Sequence, residues 1–255
     1  MKGLYPMTGR FWLMSTFVFL VYFLPPVAFA GEFRVTPIRL DFDRGAKSGV
    51  ITIVNEGADR LNVQMKAFEW VQDAEGKDQY TETNDIIFFP RIMSLEKNDE
   101  KIIRAGIRVP ATTKEKTYRL FIEEIPEPRK AEGVNVAIAI RFGVPIFVKP
   151  LKGEVKGEIE KVELSKGGFN ALIKNGGNTH FIINSINIKG KNGKGEEIFS
   201  KELSGWYLLS GVSRPYKTSI PQEVCSELSK LDIEVKTNRF NLSGKLDVNQ
   251  TMCLP

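Results

Sequence analysis

Side chains able to do covalent or metal chemistry are few in this 255-residue chain, and they stand far apart. There is one histidine, His180, and there are two cysteines, Cys225 and Cys253. A structural or catalytic zinc takes three or four His, Cys or carboxylate ligands at close spacing. A lone His with no close Cys pair does not make such a set. Acid–base work by two carboxylates needs both aimed at one point. Glu123-Glu124 and Glu196-Glu197 are sequence neighbours on strands or turns and so face opposite ways. No Ser or Cys nucleophile sits in a recognisable motif, and neither a phosphate-cradling G-x-x-x-x-G-K-[ST] loop nor a dinucleotide fingerprint occurs. His180, in a hydrophobic run, reads as a packed or strand-edge residue. The chain therefore reads as a binder without metal, cofactor or small-molecule substrate, and not as an enzyme.

The elements that must carry this binding are strands. The mature chain alternates apolar and polar residues in short runs: Phe33 to Asp43, Ser48 to Val54, Leu61 to Val71, Ile86 to Leu95, Lys101 to Ile107 and Thr117 to Ile125. Pro37 places an edge, or a break where the chain switches sheets, inside the first of these. Turn residues such as Asn55-Glu56-Gly57 separate the runs. With the run that follows at Val134, this makes seven short strands at regular spacing, the pattern of an immunoglobulin-like sandwich. No stretch shows a sustained helical period.

The stretch Val134 to Pro150 is one-sided. Val134, Val136, Ile138 and Ile140 point one way, and Asn135, Ala137, Ala139 and Arg141 point the other. Bulky aliphatics fill one face while the reverse is small or polar, whereas a strand buried on both faces carries bulk on both. Such a ridge serves either its own core or a partner that lacks a strand.

Lys149-Pro150-Leu151-Lys152-Gly153 reads as a linker. Beyond it, lysine–glycine turns separate further alternating runs at Val155 to Leu164, Phe169 to Lys174, His180 to Ile188, Lys217 to Ile220 and Leu231 to Val235. These tracts read as solvated hairpin tips, where Gly supplies positive φ and Lys blunts edges. The expected organisation is an all-β chain with a targeting segment at 1–30, a first sandwich at 31–150, and a second, smaller β-sandwich at 151–255.

Residues 1–30 carry Lys2 and Arg10, an uncharged apolar run from Phe11 to Leu24, and Ala28-Phe29-Ala30 as a small-residue cleavage site. The expected mature chain begins at Gly31 and is exported. An isolated cysteine pair in an oxidising compartment usually bridges, so Cys225 and Cys253 are expected to form a disulfide, the alternative being two buried free thiols. Hydrophobic content of 42% and charged content of 26% are those of an ordinary globular protein. The net charge of +5 is spread out, with no dense Lys/Arg run interleaved with aromatics, so nucleic acid is not an expected partner.

The order of several motifs resembles the periplasmic pilus-assembly chaperones of the PapD type. The residues are Thr36-Pro37-Ile38-Arg39, Ile53-Val54-Asn55-Glu56-Gly57, Ala67-Phe68-Glu69-Trp70, Tyr118-Arg119-Leu120-Phe121-Ile122-Glu123-Glu124-Ile125-Pro126, and the Val134 strand ending Val144-Pro145-Ile146-Phe147-Val148-Lys149-Pro150. The match covers the first domain, and the second agrees in size and all-β character.

The resemblance implies two immunoglobulin-like domains meeting at an angle around a cleft. It further implies a chaperone that lends its last first-domain strand to fimbrial subunits lacking one, and that delivers them to an outer-membrane usher. The lent side chains map onto Val134, Val136, Ile138 and Ile140. The family also holds the subunit's terminal carboxylate with two cleft cations. Arg39 matches the first; the position of the second, a lysine in the best-known members, is Pro145 here. Arg141, four residues earlier and on the same strand face, is the candidate substitute. The Pro145 form resembles the archaic or alternate branch. Two other classes compete: an exported two-sandwich adhesin or fibre component, and a carbohydrate-binding protein or enzyme. The last would need Trp70, Trp206 and Tyr207 to meet in space.

Overall fold

The computed structural model describes residues 33–126 and 139–254. The expected targeting segment 1–30, and Val134, Val136 and Ile138 of the ridge, lie outside the described residues.

The alternating runs of the first half fold into two sheets. Strands β1 (Phe33–Thr36), β3 (Ser48–Asn55), β8 (Glu100–Ile107) and β6 (Ile86–Phe89) form one, in the order β1-β3-β8-β6. Strands β2 (Leu40–Phe42), β10 (Arg141–Val148), β9 (Lys116–Glu124), β4 (Leu61–Gln72) and β5 (Asp78–Glu82) form the other in that order, with β7 (Ile92–Leu95) also on β4. Alternate residues meet between the sheets: Ile51, Ile53 and Ile103 from one, and Val63, Leu120, Ile122, Val144 and Ile146 from the other, all at 0% exposure. Burial of such side chains stabilises the domain by ~1.5–3 kcal/mol each.

Two prolines move the chain between sheets. Pro37 separates β1 from β2, which lie in different sheets, as its missing N–H suggested. The run Ile86 to Leu95, expected as a single strand, is divided the same way at Pro90: β6 joins the first sheet and β7 the second.

The second half has its own core around Phe169, Phe181, Ile186, Ile188, Leu208 and Val235. Its sheets are β11 (Gly157–Ser165), β12 (Gly168–Asn175) and β16 (Ser213–Ser219), and β14 (Glu197–Ser204), β13 (Phe181–Asn192), β17 (Leu228–Thr237) and β18 (Asn241–Asp247), with β15 (Tyr207–Leu208) also on β13. Contrary to the all-strand expectation, a short helix α1 (Gln222–Glu227) precedes β17 and carries buried Cys225. Cys225 is bridged to Cys253, with Cα atoms 5.6 Å apart.

Both sandwiches turn the same corner with one asparagine. The Asn55 side chain donates to the carbonyls of Asp59, Leu95 and Glu96 and accepts the Gly57 N–H. Asn175 repeats this, donating to Thr179 and Leu208 at 2.8 and 3.0 Å and accepting from Gly177 at 2.9 Å. Asn175 is fully buried, so no water replaces these bonds. Asn175→Ala should cost about 2–3 kcal/mol, the sum of three buried hydrogen bonds. Urea unfolding measures this, and a loss under about 1 kcal/mol would show that the corner relaxes around alanine.

Candidate functional site

Side-chain parity defines two faces of the β2-β10-β9-β4-β5 sheet. Leu40, Val144, Ile146, Tyr118, Leu120 and Ala67 point into the core. Their neighbours Arg39, Arg141, Gly143, Pro145, Phe147, Arg119, Phe121 and Phe68 therefore occupy the opposite face. Register orders that face in rows. Leu40 pairs with Ile146 in parallel, just after Arg39, and Pro145 pairs with Arg119, which pairs with Phe68. Arg119 thus lies beside Pro145 on β9, and Arg39 immediately precedes β2, whose first residue pairs with Ile146.

The two arginines expected as a pair do not share a row. Arg141 lies four residues along β10 from Pro145, roughly 13 Å at ~3.3 Å per residue. Each already faces an acid: Arg39 Nε is 2.8 Å from Asp41 Oδ2, and Arg141 Nε is 2.7 Å from Glu123 Oε1. Arg141 also lies over the Phe121 ring, 3.6 Å from its centroid. Both arginines are well exposed, and exposed pairs contribute ~0–1 kcal/mol, so neither is locked in place.

Arg119 differs from both. It is 8% exposed and makes no ion pair with any described residue. Its Nη1 donates to the Gly143 carbonyl at 3.3 Å, while Nε and Nη2 are buried without a partner. Its guanidinium carbon lies 4.2 Å from the Trp70 ring centroid. Gly143 makes the room: a Cβ there would come within 2.9 Å of Phe121 and 3.3 Å of Arg119 Nη1. Burial raises the Tyr80 hydroxyl above the usual phenol range, and the Arg119 charge pulls against that rise.

The second sandwich closes this face from the other side. Trp70, Phe147 and Leu209 form a buried cluster with Tyr207 and Val212 packed against it. Gln72 binds the second sandwich through its amide, donating to the Tyr207 carbonyl and accepting the Leu209 N–H, both at 2.9 Å. His180 stacks on Phe147 at 3.7 Å between centroids. Glu115 Oε2 accepts the His180 backbone N–H at 2.8 Å and lies 2.7 Å from its Nδ1. The single histidine is therefore a buried joint between the sandwiches. Trp70, Trp206 and Tyr207 do meet, with Tyr207 5.3 Å from Trp70 and 5.6 Å from Trp206. Trp70 is fully buried, and of the three rings only Trp206 presents much of its surface to solvent.

One backbone edge stays open. β9 pairs with β10 along its whole length from Arg141 to Val148, but β2 pairs only with Ile146–Val148. Among the described residues, Arg141 to Pro145 thus have a strand on one side only. Pro145, with no N–H to offer, fits an edge position. Ile140, the one described member of the expected ridge, is half-buried just before β10.

Comparison with known proteins places this architecture. Residues 32–153 match the family described as pili and flagellar-assembly chaperone, PapD N-terminal domain. Residues 32–153 belong to the PapD-type pilus-assembly chaperone family. A curated relative, the chaperone protein FanE of Escherichia coli, is 23% identical over 168 residues, covering 62% of this chain and 68% of FanE. Among solved structures, a chain of the CsuC–CsuE chaperone–tip adhesion subunit complex from the archaic Csu pili of Acinetobacter baumannii aligns with a TM-score of 0.57 at 20% identity, over 83% of this chain and 98% of that one. The YadV chaperone aligns with the same TM-score at 12% identity, over 86% of this chain and 100% of its own. At these identities the structural likeness is one of fold.

Sequence reasoning passed over Arg119 in this PapD-type domain, although a signal was present. In Thr117-Tyr118-Arg119-Leu120-Phe121-Ile122, an arginine stands inside an almost wholly apolar strand. Charged side chains are rarely buried without a partner, and its register opposite Pro145 appears only once β9 and β10 are paired.

Proposed function

We propose that this chaperone stabilises pilus or surface-fibre subunits by donor-strand complementation in the periplasm and hands them to an outer-membrane usher. The open edge of β10 carries the reading. A strand with one free edge accepts another chain through main-chain hydrogen bonds, and alternate side chains then fill the partner's pockets. Val134, Val136, Ile138 and Ile140 have the sequence parity of core-facing Val144 and Ile146, the pattern expected of side chains offered to a partner's core. The leader features of residues 1–30, with cleavage after Ala30, bring the chain to the compartment where its relatives work. The first domain then spans 31–150 and the second 151–255. Arg39 and Arg141 serve as anchors for a subunit carboxylate along the open edge. The CsuC–CsuE complex, in which a chaperone holds a tip adhesion subunit, supports a subunit partner and the archaic branch for this chain.

The test is the double variant Ile138→Thr, Ile140→Thr, co-expressed with a pilus subunit. Threonine keeps β-propensity and removes apolar bulk. If the ridge is donated, the variant keeps its melting temperature and loses the subunit in co-purification. If the ridge serves the chaperone's own core, the variant melts several degrees lower, and that outcome overturns donation.

A further inference from the structure

The outward face of the β1-β3-β8-β6 sheet departs from the usual alternation. An antiparallel sheet with one wet face carries apolar side chains inward and polar ones outward. Here Ile51, Ile53, Phe88 and Ile103 point into the core. The residues between them bring Val50, Ile87, Ile102 and Phe89 to the outside, and all four are exposed, Phe89 at 74%. Register gathers them on neighbouring strands. Ile102 pairs with Thr52, and Arg104 has Val50 on one side and Phe89 on the other. Scattered apolar residues on a surface need no explanation, but a gathered patch marks an interaction site.

Charge tells what covers the patch. Along β8 the outward residues run Glu100, Ile102, Arg104. An acid and a base thus stand two positions to either side of an isoleucine, each roughly 7 Å away at ~3.3 Å per residue. The Arg104 side chain has no ion pair or hydrogen bond with any described residue. At the other end, Arg34 pairs in register with Val54, which pairs with Glu100. Arg34 is already bonded to Glu56 at 2.7 Å, which leaves Glu100 the surplus acid there.

The order acid, isoleucine, base is its own complement when reversed. Consider a second copy laid face to face, with the two-fold axis crossing the strands at Ile102. Ile102 then stacks on Ile102, Val50 lies over Val54, and each Arg104 stands over the Glu100 of the other copy. Packed sheets lie about 10 Å apart, a gap that two long side chains reaching from opposite sides can close. An axis along the strands would instead set Arg104 against Arg104 or Val50, with no acid facing it.

We infer that this face is the interface of a symmetric dimer of the chain, closed by reciprocal Arg104–Glu100 pairs around Ile102. Such an interface uses the same patch on both copies, so it stops at two. β10 belongs to the other sheet, so the dimer leaves its open edge free and does not depend on strand donation.

Sedimentation velocity of the purified protein over a wide range of concentration tests this. The wild type should show a concentration-dependent dimer. Glu100→Arg and Arg104→Glu should each sediment as monomers, because each sets like charges opposite one another in both pairs. Mixed in equal amounts, the two variants should form a heterodimer, since both facing pairs are again of opposite sign. A wild type that stays monomeric at every concentration overturns the interface. A dimer that survives both substitutions lies on another surface and overturns it as well. Loss of the dimer in each variant without recovery in the mixture overturns the two-fold pairing. Both positions are exposed, so both variants should fold as the wild type does. If circular dichroism shows that one does not, Ile102→Lys takes its place: it sets two like charges on the axis, and an unchanged dimer overturns the face.

Discussion

Trp70→Ala should destabilise the chain by about 3–5 kcal/mol, the usual cost of truncating a large buried aromatic. Trp70 is fully buried yet lies outside both sandwich cores, in the cluster with Phe147 and Leu209. Its ring is 5.3 Å from Tyr207 and 6.0 Å from Phe147, and it supports Arg119. The loss therefore falls on the joint between the sandwiches, where polar contacts such as those of Gln72 and Glu115 would be opened to water. Urea unfolding followed by Trp206 emission should show a lower midpoint, with the second sandwich unfolding apart from the first. A loss below about 1 kcal/mol would mean that this contact carries little of the stability.

Removing the Cys225–Cys253 bridge should cost about 3–4 kcal/mol, the chain-entropy value for a loop of this length. The separation is 28 residues, and the loop encloses β17 and β18. β18 is an edge strand held only by β17 within its sheet, and α1 is a six-residue helix too short to persist alone. Both depend on the bridge to stay in place. Chemical denaturation of Cys225→Ser, Cys253→Ser, compared with the oxidised protein, measures the difference. A change under about 1 kcal/mol would show that packing of Leu228, Leu231 and Ile233 already holds this end of the sandwich.

The period-2 pattern of Ser48–Asn55, Leu61–Gln72 and Lys116–Glu124 was enough to determine a β-sandwich, because burial of one strand face demands alternation whatever the topology. Pro37 announced its sheet switch through its missing N–H, and the isolated cysteine pair announced its bridge. The same local rules were silent on Pro90, inside a run apolar enough to read as one strand. β5 and β18 also escaped notice, since these largely polar strands are held by neighbours distant in sequence.

The cleft depended most on tertiary structure. Arg39 precedes β2, whose first residue pairs with Ile146, whereas Arg141 lies at the other end of β10, roughly 13 Å along it from Pro145. Arg119 lies beside Pro145 only because β9 pairs antiparallel with β10 in this register. Besides Trp70, the rings around it are Trp206 and Tyr207, nearly ninety residues further along the chain. Alternation tells which way a side chain points; which charges meet, and which stay unpaired, is decided by how strands distant in sequence align.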